Sequence, residues 1–446
     1  MPPSKPTSVR LSLSYYILID CLKFNKNIHV IAVCDDHAHA SLDHFVSKLR
    51  HNTDPLLDAF IESFKNASFY PDTNDGLQQL FRNHLDIDAV LITSANTQHL
   101  RHLRAVCTYC ACKNLYMEKP ITINLEDFST ALDSSAESHI LIGLTLRYSS
   151  MAQIVTKCMK MHTEALGILK RVRAWERVRF CQGLTSFMMS WRRYRNLSGG
   201  LLLEKSIHDL DLALFFIRSL GVNPHEVHIT THTVHNLFKK SRKQQIADEI
   251  SHNMALKRTL IGREYSSFQP LIPFAFDNAG NVDWRSTLDA IFHDLPDDDI
   301  LGNSNIIPDY HVLNALLKTA NGPSIDFELE VDISGLRLTT ERGMKFEFEH
   351  GEINIDVMAS TVTIQMHNGQ TYQYDLKTNN SDHADGDAYI AQAILGMLPK
   401  EGYCVATLAD PIVRLAMTMA LISEQQASTM DGDPMIFSTV APFLHL

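Results

Sequence analysis

The sequence predicts an α/β fold in two parts: a parallel sheet with crossover helices, then an α/β domain on a mainly antiparallel, open sheet. Three observations predict it. The first 145 residues alternate short β-type runs with longer helical patterns, as parallel strands joined by helices require. From residue 325 to 333 apolar and acidic residues alternate without a break, a period of two that puts one face on a core and the other in water. At 446 residues the chain exceeds one ordinary core, so two domains are expected, 1–146 and 147–446.

Taken in order, short apolar runs place strands at 9–13, 28–34, 89–93, 115–117 and 140–144. Helical spacing fits 41–49, 56–64 and 99–112, and the turn formers of 71–76 mark a loop. In the second part the period of two returns at 344–349 and 361–366. Gly335, Gly343, Gly351 and Gly369 separate these runs, as in a meander. Helical spacing resumes over 387–426. Residues 239–308 fit neither plan: they open with a basic run at 239–243 and hold an acidic turn, Asp297-Asp298-Asp299. We read them as an insertion, part helix and part mobile loop, with the basic run as a solvated helix face. An apolar outer face on so large an open sheet would be costly, which predicts a homo-oligomer through it.

Composition narrows the function classes. The formal charge of −11 argues against a nucleic-acid surface, and no apolar run is long enough to span a bilayer. The first ten residues lack the apolar stretch of a secretion signal, so a cytoplasmic location is expected. Eight cysteines without regular spacing fit a reducing compartment. Cys107, Cys110 and Cys112 read as buried thiols on a helix. His29, His37, His39 and His44 read as surface histidines, and no metal site is expected.

The strands at 9–13 and 28–34, the latter ending on Asp35-Asp36, suit a Rossmann-type dinucleotide-binding unit. Such a unit carries a glycine-rich loop between them, where backbone N–H groups approach a pyrophosphate. Here residues 14–23 contain no glycine, and Tyr15 and Tyr16 would fill the space the pyrophosphate needs. Either the protein lacks this loop or a short coding stretch is missing from the sequence.

Two later motifs carry chemistry. Glu118-Lys119-Pro120 follows a strand directly, and the carboxyl ends of parallel strands are where α/β sheets bind ligands. Ser198-Gly199-Gly200 opens a helix that carries Glu204, His208 and Asp211 at offsets of four and three, which stack the three side chains on one α-helical face. A histidine beside a carboxylate is suited to proton transfer near neutrality.

The order of these motifs, with Asn96 and His99 after the strand at 89–93, Arg147-Tyr148 between the two parts and the Glu341-Arg342-Gly343 and His383–Asp387 stretches beyond, resembles the Gfo/Idh/MocA oxidoreductases. The resemblance implies hydride transfer between NAD(P) and a sugar, polyol or related hydroxy compound. It implies Lys119 beside the nicotinamide and the reacting hydroxyl, His208 as general base and Glu204 in support. Asp35 would bind the adenosine ribose and favour NAD over NADP. Thr93, Asn96, His99, Glu118, Lys119 and Pro120 would contact the cofactor. Arg147, Tyr148, Trp191, Arg192 and Asp211 are the expected substrate contacts; the basic aromatic cluster at 191–195, just before the glycines, reads equally as a loop packed on the sheet. Glu204 stands where the family usually has aspartate. The alternative function is a catalytically silent member that binds or regulates, consistent with the absent glycine loop.

Overall fold

The computed structural model describes residues 17, 20–21, 23–25, 28–36, 55–112, 114–134, 140–256, 275–279, 281–292, 305–319, 322–376, 385–398 and 405–428. The expected strand at 9–13, the helix at 41–49, His37, His39, His44 and the acidic turn at 297–299 lie outside them, and His29 is exposed. The described residues form two compact units. The first runs up to Gln153 and includes 385–414; the second holds 154–376 and 415–428. The sequence shows no sign of the return to the first unit at 385, which depends on close backbone contact. A Cβ on Gly386 would lie 2.1 Å from the Thr145 carbonyl oxygen. Ser150 adds two bonds to the Asp385 carboxylate, from its N–H at 2.9 Å and its hydroxyl at 2.5 Å.

In the first unit β1 (Ala32–Cys34) pairs in parallel with β2 (Ser68–Tyr70). β3 (Ala89–Ile92), β4 (Asn114–Met117) and β5 (Ile140–Ile142) form a second parallel sheet. Helices Pro55–Lys65, Asn74–Asn83, His99–Tyr109 and Leu125–Ser134 connect them. A cavity of about 240 Å³ is lined by Ile31, Val33 and Asp35 from the β1 segment and by Val90, Leu91 and Ser94 from the β3 segment. The loop expected at 71–76 covers only 71–73, and the helix starts at Asn74. The Thr73 hydroxyl accepts the Gly76 N–H at 3.0 Å, an N-cap that the turn-like composition concealed. The helix expected to reach 112 stops at Tyr109, so Cys110 and Cys112 fall in a loop. They are half-buried and Cys107 is exposed, so the three are not the buried thiols expected.

The second unit is built on an eight-stranded sheet. Its strands are β6 (Leu169–Arg177), β7 (Pro224–Val234), β8 (Tyr310–Thr319), β9 (Ile325–Asp332), β10 (Glu341–Phe348), β11 (Gly351–Asp356), β12 (Thr361–Met366) and β13 (Thr371–Asp375). They lie in the order β13-β12-β11-β10-β6-β9-β8-β7. Every pairing is antiparallel except β6 with β9. β12 matches the expected 361–366 residue for residue, and β10 through β13 form a meander, but β9, expected to join it, is separated from β10 by β6. One face packs on the core through Val172, Leu313, Phe327, Leu329, Met344 and Phe346.

The other face overturns the premise of an exposed apolar sheet. Its rows are cross-strand ion pairs: Arg171 with Asp326 (3.2 Å), Arg177 with Glu330 (2.8 Å) and Glu341 (3.2 Å), and Lys345 with Glu352 (2.7 Å). Trp175 lies across Gly343, where a Cβ would come within 2.7 Å of its ring. Association of two copies here would be driven by charge rather than apolar burial. Light scattering should therefore show any oligomer dissociating as salt rises; a salt-indifferent oligomer would locate the interface elsewhere.

Of the 239–308 insertion, helices Lys243–His252 and Trp284–Phe292 are described, joined by a Lys243–Asp289 pair at 2.5 Å. Asp309, just after it, accepts three backbone N–H groups, from Asn236, Leu237 and Phe238, and so anchors the departing chain. Among the described residues no helix is long and apolar enough to cross a membrane.

Candidate functional site

In the first unit the loops at the carboxyl ends of the parallel strands are stitched together by polar side chains, of which His99 and His102 are buried. The Asp36 carboxylate accepts the Asp72 N–H at 2.7 Å. Asp72 in turn pairs with Arg101 and lies 2.7 Å from His102 Nε2, while His102 Nδ1 lies 2.7 Å from the Ser94 hydroxyl. Burial would raise the Asp72 carboxyl, but the hydrogen bonds and charges of His102 and Arg101 hold it down at about 2. His99 joins the next two loops, with Nδ1 2.6 Å from the Pro120 carbonyl and Nε2 2.9 Å from the Ser94 carbonyl. Both ring nitrogens thus face backbone, which makes this buried side chain a clamp between loops rather than an open cleft wall.

β4 delivers Glu118-Lys119-Pro120 to this rim. The Lys119–Pro120 peptide is cis, Pro120 is buried, and Glu118 and Lys119 are half-buried. The Glu118 N–H donates to the Ile92 carbonyl at 2.9 Å, which continues the β3–β4 ladder past Met117. Its carboxylate accepts the Tyr116 hydroxyl and, at 3.3 Å, the Lys119 N–H. Burial, and then the Glu118 charge, push the Tyr116 phenol well above its ordinary range, so it remains a donor. Gly143 leaves room for the pair: a Cβ there would lie 2.6 Å from the Tyr116 oxygen. Thr93 and Asn96 are buried beside the start of the His99–Tyr109 helix, and Asp35 is half-buried at the end of β1.

Arg147 and Tyr148 take a structural position instead of the expected substrate contacts. Each is about 1 % exposed. Arg147 pairs with Asp410, and the Tyr148 hydroxyl lies 3.1 and 2.9 Å from the Ile142 and Ala406 carbonyls. Their side chains hold the 405–410 segment inside the first unit.

In the second unit the expected helix is interrupted. Gly199 and Gly200 adopt positive φ (90° and 119°), a π-helical turn covers Leu202–Ser206, and the regular helix runs Ile207–Ser219. A π turn closes i→i+5 bonds, so Glu204 does not keep the α-helical stacking on His208 that its spacing predicts. Its buried carboxylate accepts Arg192 Nε at 2.6 Å, and the Arg192 guanidinium lies over the Trp191 ring, 4.9 Å from its centroid. His208 is 7 % exposed, and Asp211 is fully buried in the packed interior, not on a substrate-facing surface.

Beneath this helix the sheet supplies a buried charge network. Arg342 of β10 forks onto Asp209 at 2.7 and 2.9 Å, and Glu176 of β6 takes Lys205 at 2.8 Å and the Ser206 hydroxyl at 2.9 Å. Burial pushes the Asp209 carboxyl up to about 6 against the pull of Arg342, whereas Arg342 and Lys205 hold Glu176 at about 2 despite its burial.

Residues 19–145 match the model of an oxidoreductase family with an NAD-binding Rossmann fold, the Gfo/Idh/MocA group. The chain carries a Gfo/Idh/MocA domain. Similar solved structures include an NAD-binding oxidoreductase from Klebsiella pneumoniae (TM-score 0.56, 14 % identity, 94 % of each chain covered). Others are the super-repressor mutant of Gal80p from Saccharomyces cerevisiae (0.57, 11 %, 96 % of this chain and 94 % of that one) and levoglucosan dehydrogenase in complex with NADH and levoglucosan (0.53, 12 %, 93 % and 95 %). At such identities these likenesses establish the fold.

Half-buried Asp35 is one of the residues lining the cavity between the β1 and β3 segments. The described residues supply no glycine cradle for a pyrophosphate, since the first glycine of the chain is Gly76. Sequence reasoning missed Asp72, Arg101, His102, Glu176 and Glu424. Each acts on a partner from another element, and no local spacing announces it.

One buried group of the second unit predicts a pH dependence. His311 is fully buried, 2.8 Å from the Ser423 hydroxyl, and burial lowers its pKa to about 4. An unfolded histidine binds its proton near pH 6.5, so the stabilisation is complete above that and is lost as pH falls towards 4. The loss should reach about 3 kcal/mol, and His311→Asn should flatten the acid limb. Urea unfolding between pH 7 and 4.5 measures it; identical slopes in the two proteins would remove His311 as the cause.

Proposed function

We propose that this protein is an NAD-dependent oxidoreductase acting on a hydroxyl-bearing carbon of a sugar, polyol or related compound. The observation that carries this reading is the Gfo/Idh/MocA domain with Lys119 presented at the rim of its parallel sheet. When bound, the nicotinamide would supply the hydride acceptor or donor. Lys119 would hold the reacting hydroxyl oxygen, and His208 would take its proton as the carbon is oxidised. The Arg192–Glu204 pair would fix the wall around His208, and the Trp191 ring would offer an apolar face to a sugar. Asp35 would accept the ribose hydroxyls and repel the extra phosphate of NADP.

Fluorescence titration of the full chain with NADH, and calorimetry with NADPH, test the cofactor half. Binding that favours NADH is expected; preference for NADPH would remove the role given to Asp35. One observation favours a second reading, a silent member that binds or regulates: there is no glycine before residue 76. A folded protein that binds neither nucleotide would establish that second reading over the first.

A further inference from the structure

We infer that Glu424, on the helix Pro411–Ser428, is a positioning residue for His208; this rests on His208 being the reacting histidine of the proposed function. Glu424 lies more than 200 residues along the chain from Arg195, Leu202 and Leu203 and is 4 % exposed. One carboxylate oxygen accepts the Leu202 N–H at 2.6 Å and lies 3.4 Å from the Leu203 nitrogen; the other accepts Arg195 NH1 at 2.5 Å. Those two N–H groups open the π turn Leu202–Ser206, where a helical run leaves donors without partners of its own. A fixed negative charge there also complements the positive end of the helix. His311, 3.6 Å from Oε1 and kept neutral by burial, and Ser423 close the remaining side.

Gly200 is what admits the carboxylate. A Cβ on it would stand 1.9 Å from Oε2 and 2.1 Å from Cδ of Glu424, and φ is +119°. The second glycine of this motif therefore makes room for an internal acid. Because the carboxylate holds the first two N–H groups of the π turn, it sets where that turn begins. The start of the turn sets the rotational phase at which Glu204 and, one turn later, His208 emerge.

The test needs neither cofactor nor turnover, so failure of the oxidoreductase reading would not disturb it. Amide exchange at Leu202 and Leu203 and the imidazole NMR signals of His208, assigned from their loss in His208→Gln, are compared in the full chain and in Glu424→Gln, Glu424→Asp and Gly200→Ala. In Glu424→Gln the two amides should exchange about tenfold faster, as expected for loss of one charged hydrogen bond, and the His208 signals should move. Glu424→Asp should restore them in part. Gly200→Ala should move them in the same direction, and the double variant should move them no further than the larger single change. An unmoved His208 signal in folded Glu424→Gln, or additive shifts in the double variant, would overturn the proposal. If Glu424→Gln does not fold, Glu424→Asp carries the same comparison.

Discussion

Replacing Arg342 with alanine is expected to lower the stability of the second unit by about 3–5 kcal/mol, the usual cost of stranding a buried charge. The guanidinium is 4 % exposed, forks onto Asp209, which is fully buried, and approaches Glu176 at 3.7 Å. Without it, two buried carboxylates face the single cation of Lys205. Urea unfolding at pH 7 measures the loss, and a change below 1 kcal/mol would mean that water reaches the network. The loss should shrink in acid. Burial already pushes Asp209 up to about 6, and without Arg342 its folded pKa rises further above the unfolded value. The folded variant then binds the extra proton, so its stability falls as pH rises and recovers as pH drops from above 6 towards the unfolded carboxyl value of about 4. Arg342→Met combined with Asp209→Leu should be less harmful than Arg342→Ala alone, because it removes both members of the pair.

The second large effect concerns chemistry. Lys119→Ala and His208→Ala are each expected to lower turnover by about 10²–10⁴-fold, the range for losing a positioned proton-transfer group. Neither should change stability as much as Arg342→Ala, since Lys119 sits on a half-buried turn and His208 at the start of its regular helix. Screening sugars and polyols by NADH absorbance, then measuring kcat and KM for each variant, reads the effect. A variant that keeps full kcat would lose its assigned role. For His208, recovery of rate at high pH would support a base, because hydroxide would then replace it.

The sequence by itself determined the elements whose residues repeat at one period. β12, β9 and the helix after Asn96 follow from local alternation or helical spacing, because one-sided burial writes its period into the chain. It also determined the Glu118-Lys119-Pro120 turn, since a strand with a proline just beyond it must end there. What tertiary structure decided lies wherever a charged or polar residue is satisfied from far away. β6 reads as a charge-rich segment until β9 and β10 bring Glu330 and Glu341 to Arg177. Arg147 and Tyr148 looked available for a substrate until Asp410 and the Ala406 carbonyl met them inside the first unit. Glu204 and His208 carry α-helical spacing, yet the π turn that changes their phase begins where Glu424 takes the Leu202 N–H. A hydrogen bond across more than 200 residues leaves no period behind. Only the folded chain could show which buried charges hold the site together.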